Sequence, residues 1–239
     1  MSTIPGQSAD GRQTRWEGHK AERRQQILDA AVRILDREPP GTDLHVRQIA
    51  EECGIGRPVV YRHFEDRDEL VRAVRGHVLV EVRELLVPQV RLDGSISQII
   101  ERIISTYVDW AAAHPTLHRF AAREEAVDGD EFAATIKALV DEVVTIIVLA
   151  AAVVGVELSE DDQASLEPLI FGVVGMAFAT VRTWLGREVR EPTAESLSAM
   201  LAQTIWWAIW GLAHDRGVDL DPDVPLEDMI ASVVSDLVN

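Results

Sequence analysis

Arg57, Pro58, Val59, Tyr61, Arg62 and His63 share one short segment, so two guanidinium groups, a phenol and an imidazole lie close together in the chain. Arginine donates paired hydrogen bonds to a phosphate or to a guanine edge. A phenol or an imidazole can bond phosphate oxygens. Proline and valine offer the apolar contact that a thymine methyl accepts. Arg47 upstream and Arg67 downstream add two more cations. The chemistry in view is recognition of a polyanion and of base edges within it.

Two short helical patterns separated by a turn must position these groups. Val46, Ile49, Ala50 and Cys53 recur at i, i+3, i+4 and i+7, so they face inward together on a helix over about Leu44–Glu52. Gly54 takes the positive φ of a sharp turn, and Ile55 plugs the junction. A second helix starts near Gly56, with Pro58 in its first turn, where no backbone donor is needed. Val60 and Phe64, one turn apart, face the core and leave the polar residues outside. The pattern predicts a helix-turn-helix whose second helix enters a major groove. Arg47, Arg57, Pro58, Val59, Tyr61, Arg62, His63 and Arg67 are its candidate DNA contacts.

A preceding helix is expected from about Lys20 to Arg37, with Ile27, Leu28, Ala31, Ile34 and Leu35 as its apolar stripe. A following helix is expected from Asp66 to about Leu86. Asp66 caps it, Glu69 completes the capping pattern, and Leu70, Val74, Val78, Val82 and Leu85 form the stripe.

Ile27-Leu28-Asp29-Ala30-Ala31, Val46 through Ile55, Tyr61-Arg62-His63-Phe64 and Asp68-Glu69-Leu70 together resemble the signature of tetracycline-repressor-like (TetR family) transcriptional regulators. The resemblance covers residues 20–80. It implies a homodimer, an all-helical ligand-binding domain, and loss of operator binding when an effector binds. Three positions depart from the pattern. Leu44-His45 stands where a Thr or Ser pair is usual, which moves the helix cap to Thr42 or Asp43. Gly56 replaces a Ser, and Pro58 replaces a frequent Gly. Arg67 keeps the charge of the family's Lys.

Net charge is −17, and it is unevenly spread. Residues 1–80 hold 13 basic and 13 acidic residues, which leaves 10 basic and 27 acidic in the remainder. That split suits a polyanion-facing head on an acidic body. The lone Cys53 excludes an internal disulfide and suits a reducing, cytoplasmic setting. The N-terminus lacks a secretory apolar run. The apolar stretch from Val143 to Val156 is shorter than the roughly 20 residues of a membrane span, so no membrane association is expected.

Residues 1–19 are expected to be a flexible arm, 20–66 a helix-turn-helix domain, and 67–239 a helical effector-binding and dimerisation domain. The fold class is all-α: an N-terminal three-helix head followed by a larger helical bundle. Helices are expected over 95–113, 115–125, 130–153, 160–186, 193–216 and 225–238, with Ser159 and Asp162 as a capping box. Gly172, Gly175, Ala177 and Ala179 on 160–186 permit close helix approach. Trp206, Trp207 and Trp210 on 193–216 are too many for one buried face, so this pair is expected to join two copies. Tyr107, Trp110, Phe120, Arg123, Phe171 and Phe178 are the candidate effector-binding residues. Met176, Trp184 and Arg182 are weighed beside them.

No catalytic residue, metal ligand set or cofactor is expected, and the chain is not read as an enzyme. Phosphate loops, nucleophile elbows and zinc-peptidase motifs are absent from the sequence. His114 and His118, four apart with Glu124 and Glu125 nearby, could share a metal, but Pro115 puts His114 outside the helix and no third ligand is fixed, so a partly buried or pocket-lining pair is the favoured reading. The expected partners are double-stranded DNA with a palindromic operator, a small and largely hydrophobic effector, and a second copy of the chain. Two other readings use the same helices: a small-molecule protein with a vestigial head, and a scaffold for protein partners.

Overall fold

The computed structural model describes residues 7–39, 41–91, 93–122, 130–153, 156–218 and 220–228. These form nine α-helices: α1 (Gln7–Arg37), α2 (Val46–Glu52), α3 (Arg57–Val60), α4 (Arg67–Leu86), α5 (Ile96–Ala113), α6 (Pro115–Ala121), α7 (Asp130–Val153), α8 (Glu160–Leu185) and α9 (Ala194–His214). No β-strand occurs among the described residues. Arg123 and most of the expected helix 225–238 lie outside them.

Two apolar clusters organise the chain. The first joins Ile27, Ala31 and Leu35 of α1, Ile49 and Ala50 of α2, Val60, Phe64, Leu70, Val74 and Val78, together with Leu117 and Phe120 of α6. The second joins Val82 of α4, Ile104 and Val108 of α5, Val181 and Trp184 of α8, and Leu197, Leu201, Ile205 and Trp206 of α9. α4 contributes its early residues to the first cluster and Val82 to the second. Trp110 and Phe178 pack against both. The expected stripes of α1, α2 and α4 are therefore core, apart from Cys53, which packs half-buried against the first cluster, and Leu85, which is exposed at the end of α4.

Caps explain where several helices begin. Asp66 accepts a hydrogen bond from the Glu69 N–H at 2.7 Å, and Glu69 reaches back to the Glu65 N–H. Ser159 and Asp162 form a full capping box at α8, and Ser95 and Gln98 form another at α5. At α8 the Asp162 carboxyl is held down to about 2, first by Arg216 and then by Ser159.

Two expectations need correction. α1 begins at Gln7, not at Lys20, so the segment read as an arm is helical from that point. Pro5-Gly6 lies ahead of it, and Ala9, Arg12, Gln13, Arg15 and Glu17 are good helix formers. They extend a helix already nucleated by its packed C-terminal half. α2 is capped by neither Thr42 nor Asp43: its N-cap is His45, without a side-chain bond. Leu44 is buried in the first cluster, which draws this strand of chain inward.

By length and composition α8 could cross a membrane, and little of its apolar portion is buried. Its first residues are acidic and Pro168 lies within it, so the apolar portion is not one continuous run from its start.

Candidate nucleic-acid interface

The site is built on an anchored turn. Gly54 has φ +64°, as the turn requires. The Gly54 N–H donates to the Glu51 carbonyl at 3.1 Å, and the Ile55 N–H to the Ala50 carbonyl at 2.9 Å. These bonds close α2 and aim the chain into α3. Val60 and Phe64 are buried and hold α3 by one side. α3 is short, and hydrogen-bonded turns continue it: the Arg62 N–H bonds the Val59 carbonyl, and the His63 N–H bonds the Val60 carbonyl. Arg33 and Arg37 of α1 hold Glu52 at the end of α2, each at 3.3 Å.

What this leaves outside is polar and cationic. Arg57, Pro58, Arg62 and Arg67 are exposed, Tyr61 is 48% exposed, and Val59 and His63 are half-buried. His45, Val46, Arg47, Gln48, Arg57, Tyr61 and Arg67 line one concavity of about 410 Å³ between α2, α3 and the start of α4. Four of the expected contact residues, Arg47, Arg57, Tyr61 and Arg67, are thus brought together. Arg47 pairs with Glu51 at 3.5 Å, an exposed contact that a phosphate can displace, since such pairs contribute only about 0.3–0.5 kcal/mol.

Arg62 and His63 do not line this concavity. Burial, then Lys20, Arg23, Arg24 and Arg62, hold the His63 imidazole below its usual pKa, so it is neutral at pH 7. Lys20, Arg23 and Arg24 of α1 thus form, with Arg62, a second basic cluster around His63. Arg24 organises it. Its guanidinium donates to the His63 carbonyl at 2.7 Å, pairs with Glu69 at 3.2 Å, and stacks 4.2 Å from the Phe64 ring centroid. The helical pattern alone places Lys20, Arg23 and Arg24 at the start of the first helix and assigns them no contact. Lys20 stands three and four residues before Arg23 and Arg24, on one face of a helix, and that was the available signal, but their meeting with His63 is a tertiary contact.

The other expected site residues divide. Tyr107, Trp110 and Phe178 gather around His118 of α6. The Tyr107 hydroxyl is 2.8 Å from His118 Nε2, and the His118 ring centroid lies 4.7 Å from Phe178 and 6.4 Å from Trp110. His118 is fully buried, and its Nδ1 has no hydrogen-bond partner. Burial, assisted by Arg182, pushes its pKa down to about 4. Burial also pushes the Tyr107 phenol up. Beside this cluster, Gly41, Thr42, Thr116, Arg119, Phe120, Ala122 and Arg182 line a cavity of about 510 Å³. Phe171 is not part of it: it is 58% exposed on α8. His114 sits between α5 and α6, as Pro115 implied, and bonds Asp36 at 2.6 Å.

An all-helical chain whose N-terminal helices present a helix-turn-helix with cations on its outer face is a DNA-binding transcriptional regulator. Residues 27–74 match the family model described as bacterial regulatory proteins, tetR family. An uncharacterized HTH-type transcriptional regulator of Mycobacterium tuberculosis is 27% identical over 214 residues, covering 87% of this chain and 86% of that protein. A tetR-family regulator from Streptomyces coelicolor shares the fold with TM-score 0.60 at 21% identity, covering 90% of both chains. The regulator FadR from Bacillus subtilis, solved in complex with stearoyl-CoA, superposes with TM-score 0.57 at 16% identity, over 76% of this chain and 96% of its own. In its N-terminal module and in its overall fold the chain is similar to the TetR family of bacterial regulators.

Proposed function

We propose that the chain is a homodimeric, cytoplasmic repressor, released from a palindromic operator by a small, largely hydrophobic effector. The observation that carries the DNA-binding part is the shared concavity of Arg47, Arg57, Tyr61 and Arg67. Arg57 reads a guanine edge, Pro58 and Val59 meet a thymine methyl, and Arg47, Tyr61, Arg62, His63 and Arg67 hold phosphates. His63 does so as a neutral donor. Two such heads must lie about 34–36 Å apart to read two half-sites of a palindrome.

Dimerisation is supported by apolar side chains that the fold leaves outside both clusters. Phe171 and Leu169 on α8 and Met200, Trp207, Trp210 and Leu212 on α9 are exposed. A second copy suits α8 better than lipid, because the same exposure continues onto α9 and acidic residues open both helices.

Tyr107, Trp110, Phe120 and Phe178 offer an effector an apolar environment, and Arg182 at the cavity offers an anion partner. α6 supplies the link to the head. Its Thr116 hydroxyl donates to the Glu38 carbonyl at 2.8 Å, and His114 before it bonds Asp36 near the end of α1. An effector that binds one arrangement of α6 more tightly shifts the spacing of the heads through these two bonds.

The test is selection of bound sequences from random duplex DNA, followed by titration of Arg57→Ala and Tyr61→Ala variants on the selected site. A palindromic site, with affinity lost in both variants, is expected. Absence of any enriched sequence, or unchanged affinity in both variants, overturns the reading. Mass spectrometry of small molecules retained by the purified protein tests the effector part.

A further inference from the structure

Gln25 and Asp29 stand one turn apart on α1, and His77 and Glu81 stand one turn apart on α4. The packing of α1 on α4 brings the two pairs together. His77 Nε2 is 2.9 Å from Asp29 Oδ1 and 3.3 Å from Glu81 Oε1. Gln25 Nε2 is 2.9 Å from the same Asp29 oxygen and faces both ring nitrogens of His77, 3.2 Å from Nε2 and 3.4 Å from Nδ1. The ligand atoms of Asp29, His77 and Glu81 all lie within 4.8 Å of one another. The His77 side chain is 11% exposed, whereas the carboxylates are 41% and 38% exposed, so solvent reaches the cluster from one side. None of the four residues lines either cavity or belongs to either apolar cluster.

One imidazole nitrogen carries at most one proton, yet two carboxylate oxygens and an amide converge on it. A single N–H can serve only one of the two carboxylates, and Asp29 has the Gln25 amide as a second donor. A dication at the same point serves all three donors, and its charge balances the two carboxylates. The separations fit. With metal–ligand bonds of about 2.0–2.2 Å, neighbouring ligands of a tetrahedral ion lie roughly 3.3–3.6 Å apart, and those of an octahedral ion roughly 2.8–3.1 Å. The observed 2.9 and 3.3 Å span these values. A half-turn of the Gln25 amide places Oε1 toward the same point.

We propose that Asp29, His77 and Glu81 bind a first-row transition-metal dication of the zinc class, with Gln25 Oε1 as an additional donor. An imidazole among the ligands favours such an ion over magnesium or calcium, which prefer oxygen alone. The ion ties α1, which packs on the helix-turn-helix, to α4, which runs from the first apolar cluster into the second. It thereby stiffens the join between head and body. This site does not depend on the identity of the operator or of the effector.

The test is calorimetric titration of the tag-free, metal-stripped full chain with Zn²⁺ and with Mg²⁺, alongside the Co²⁺ absorption spectrum. The expected result is one Zn²⁺ per chain, with Mg²⁺ bound at least about 100-fold more weakly, and visible Co²⁺ bands that change in H77N. D29N and E81Q should each weaken Zn²⁺ by more than the roughly 10–100-fold seen for outer partners of metal ligands. Zn²⁺ at a hundredfold excess over its Kd should raise the melting temperature of the wild type by about 5–10 °C and leave the two variants unmoved. D29N and E81Q alter half-exposed carboxylates, so they carry the test if H77N does not fold. No Zn²⁺ binding by the wild type, or wild-type affinity retained in D29N and E81Q, overturns the proposal.

Discussion

The outer surface of α3 and the outer surface of α8 and α9 both depart from an ordinary protein surface, in opposite directions. Around α3 the exposed groups are guanidiniums and a phenol, anchored from behind by Val60 and Phe64. Along α8 and α9 they are large and apolar: Phe171 is 58% exposed and Trp207 60%. A cationic surface rests comfortably in water and gains most from a polyanion, in a salt-dependent way. An apolar surface of this size is costly in water and gains most from another apolar surface. The head therefore advertises a charged partner met transiently, and the body a partner kept covered.

The largest effect that would break this contrast comes from charging the apolar surface. The double substitution Phe171→Arg and Trp207→Arg should shift a dimer to monomer in analytical ultracentrifugation. Each residue has the character of an interface anchor, where truncation alone costs about 2–4 kcal/mol. Operator affinity should fall with it, since a monomer reads one half-site. A sedimentation profile identical to wild type would remove α8 and α9 from the interface.

The second effect lies in the body. Folded His118 has its pKa pushed down to about 4, against an ordinary 6.5. Between those values the unfolded chain binds a proton that the folded chain refuses. Stability contributed by neutral His118 is therefore full above pH 6.5 and lost as pH falls toward 4, by about 3 kcal/mol in all. Denaturant unfolding at pH 7 and pH 4.5 should show the decline, and His118→Asn should flatten part of it. An equal slope in the variant would place the acid sensitivity elsewhere.

Smaller effects belong to the head. Arg57→Ala should weaken the selected operator by about 1–3 kcal/mol and relax discrimination at one base pair, without changing oligomeric state. Arg47→Ala should weaken all sequences nearly alike and lower the slope of log affinity against log salt by about one. If Arg47 instead changes sequence preference, it reads a base. Those two measurements separate reading from holding within one concavity.

Much of the head was legible because its signals are local. The i, i+3, i+4, i+7 spacing of Val46, Ile49, Ala50 and Cys53 names the inner face of α2, and Gly54 names the turn. Cys53 itself is only half-buried, with Sγ 3.6 Å from the Gln26 carbonyl, and burial raises its thiol pKa. The body was legible in helix boundaries and less so in facing. Trp206, Trp207 and Trp210 were read together, yet Trp206 packs in the second cluster while the other two point outward. Phe171 was grouped with Phe178 by residue type, although a helix separates the two by nearly two turns and the fold exposes only the first. Arg24 and His118 were undervalued because their partners lie far along the chain: Glu69 for the first, Tyr107 and Phe178 across α5 and α8 for the second.

The sequence by itself determined the helical class, the turn at Gly54, the inner faces of α1, α2 and α4, and the polar residues left on α3. Periodicity, caps and positive-φ glycine act within a few residues, so they are written locally. Only the tertiary structure decided that Arg47 joins Arg57, Tyr61 and Arg67, that Arg24 braces His63, and that His118 is sealed beside Tyr107. It likewise decided that Asp29 meets His77 and Glu81. Each of these contacts spans helices whose relative rotation is set by the packing of whole faces, and no short stretch of sequence carries that rotation.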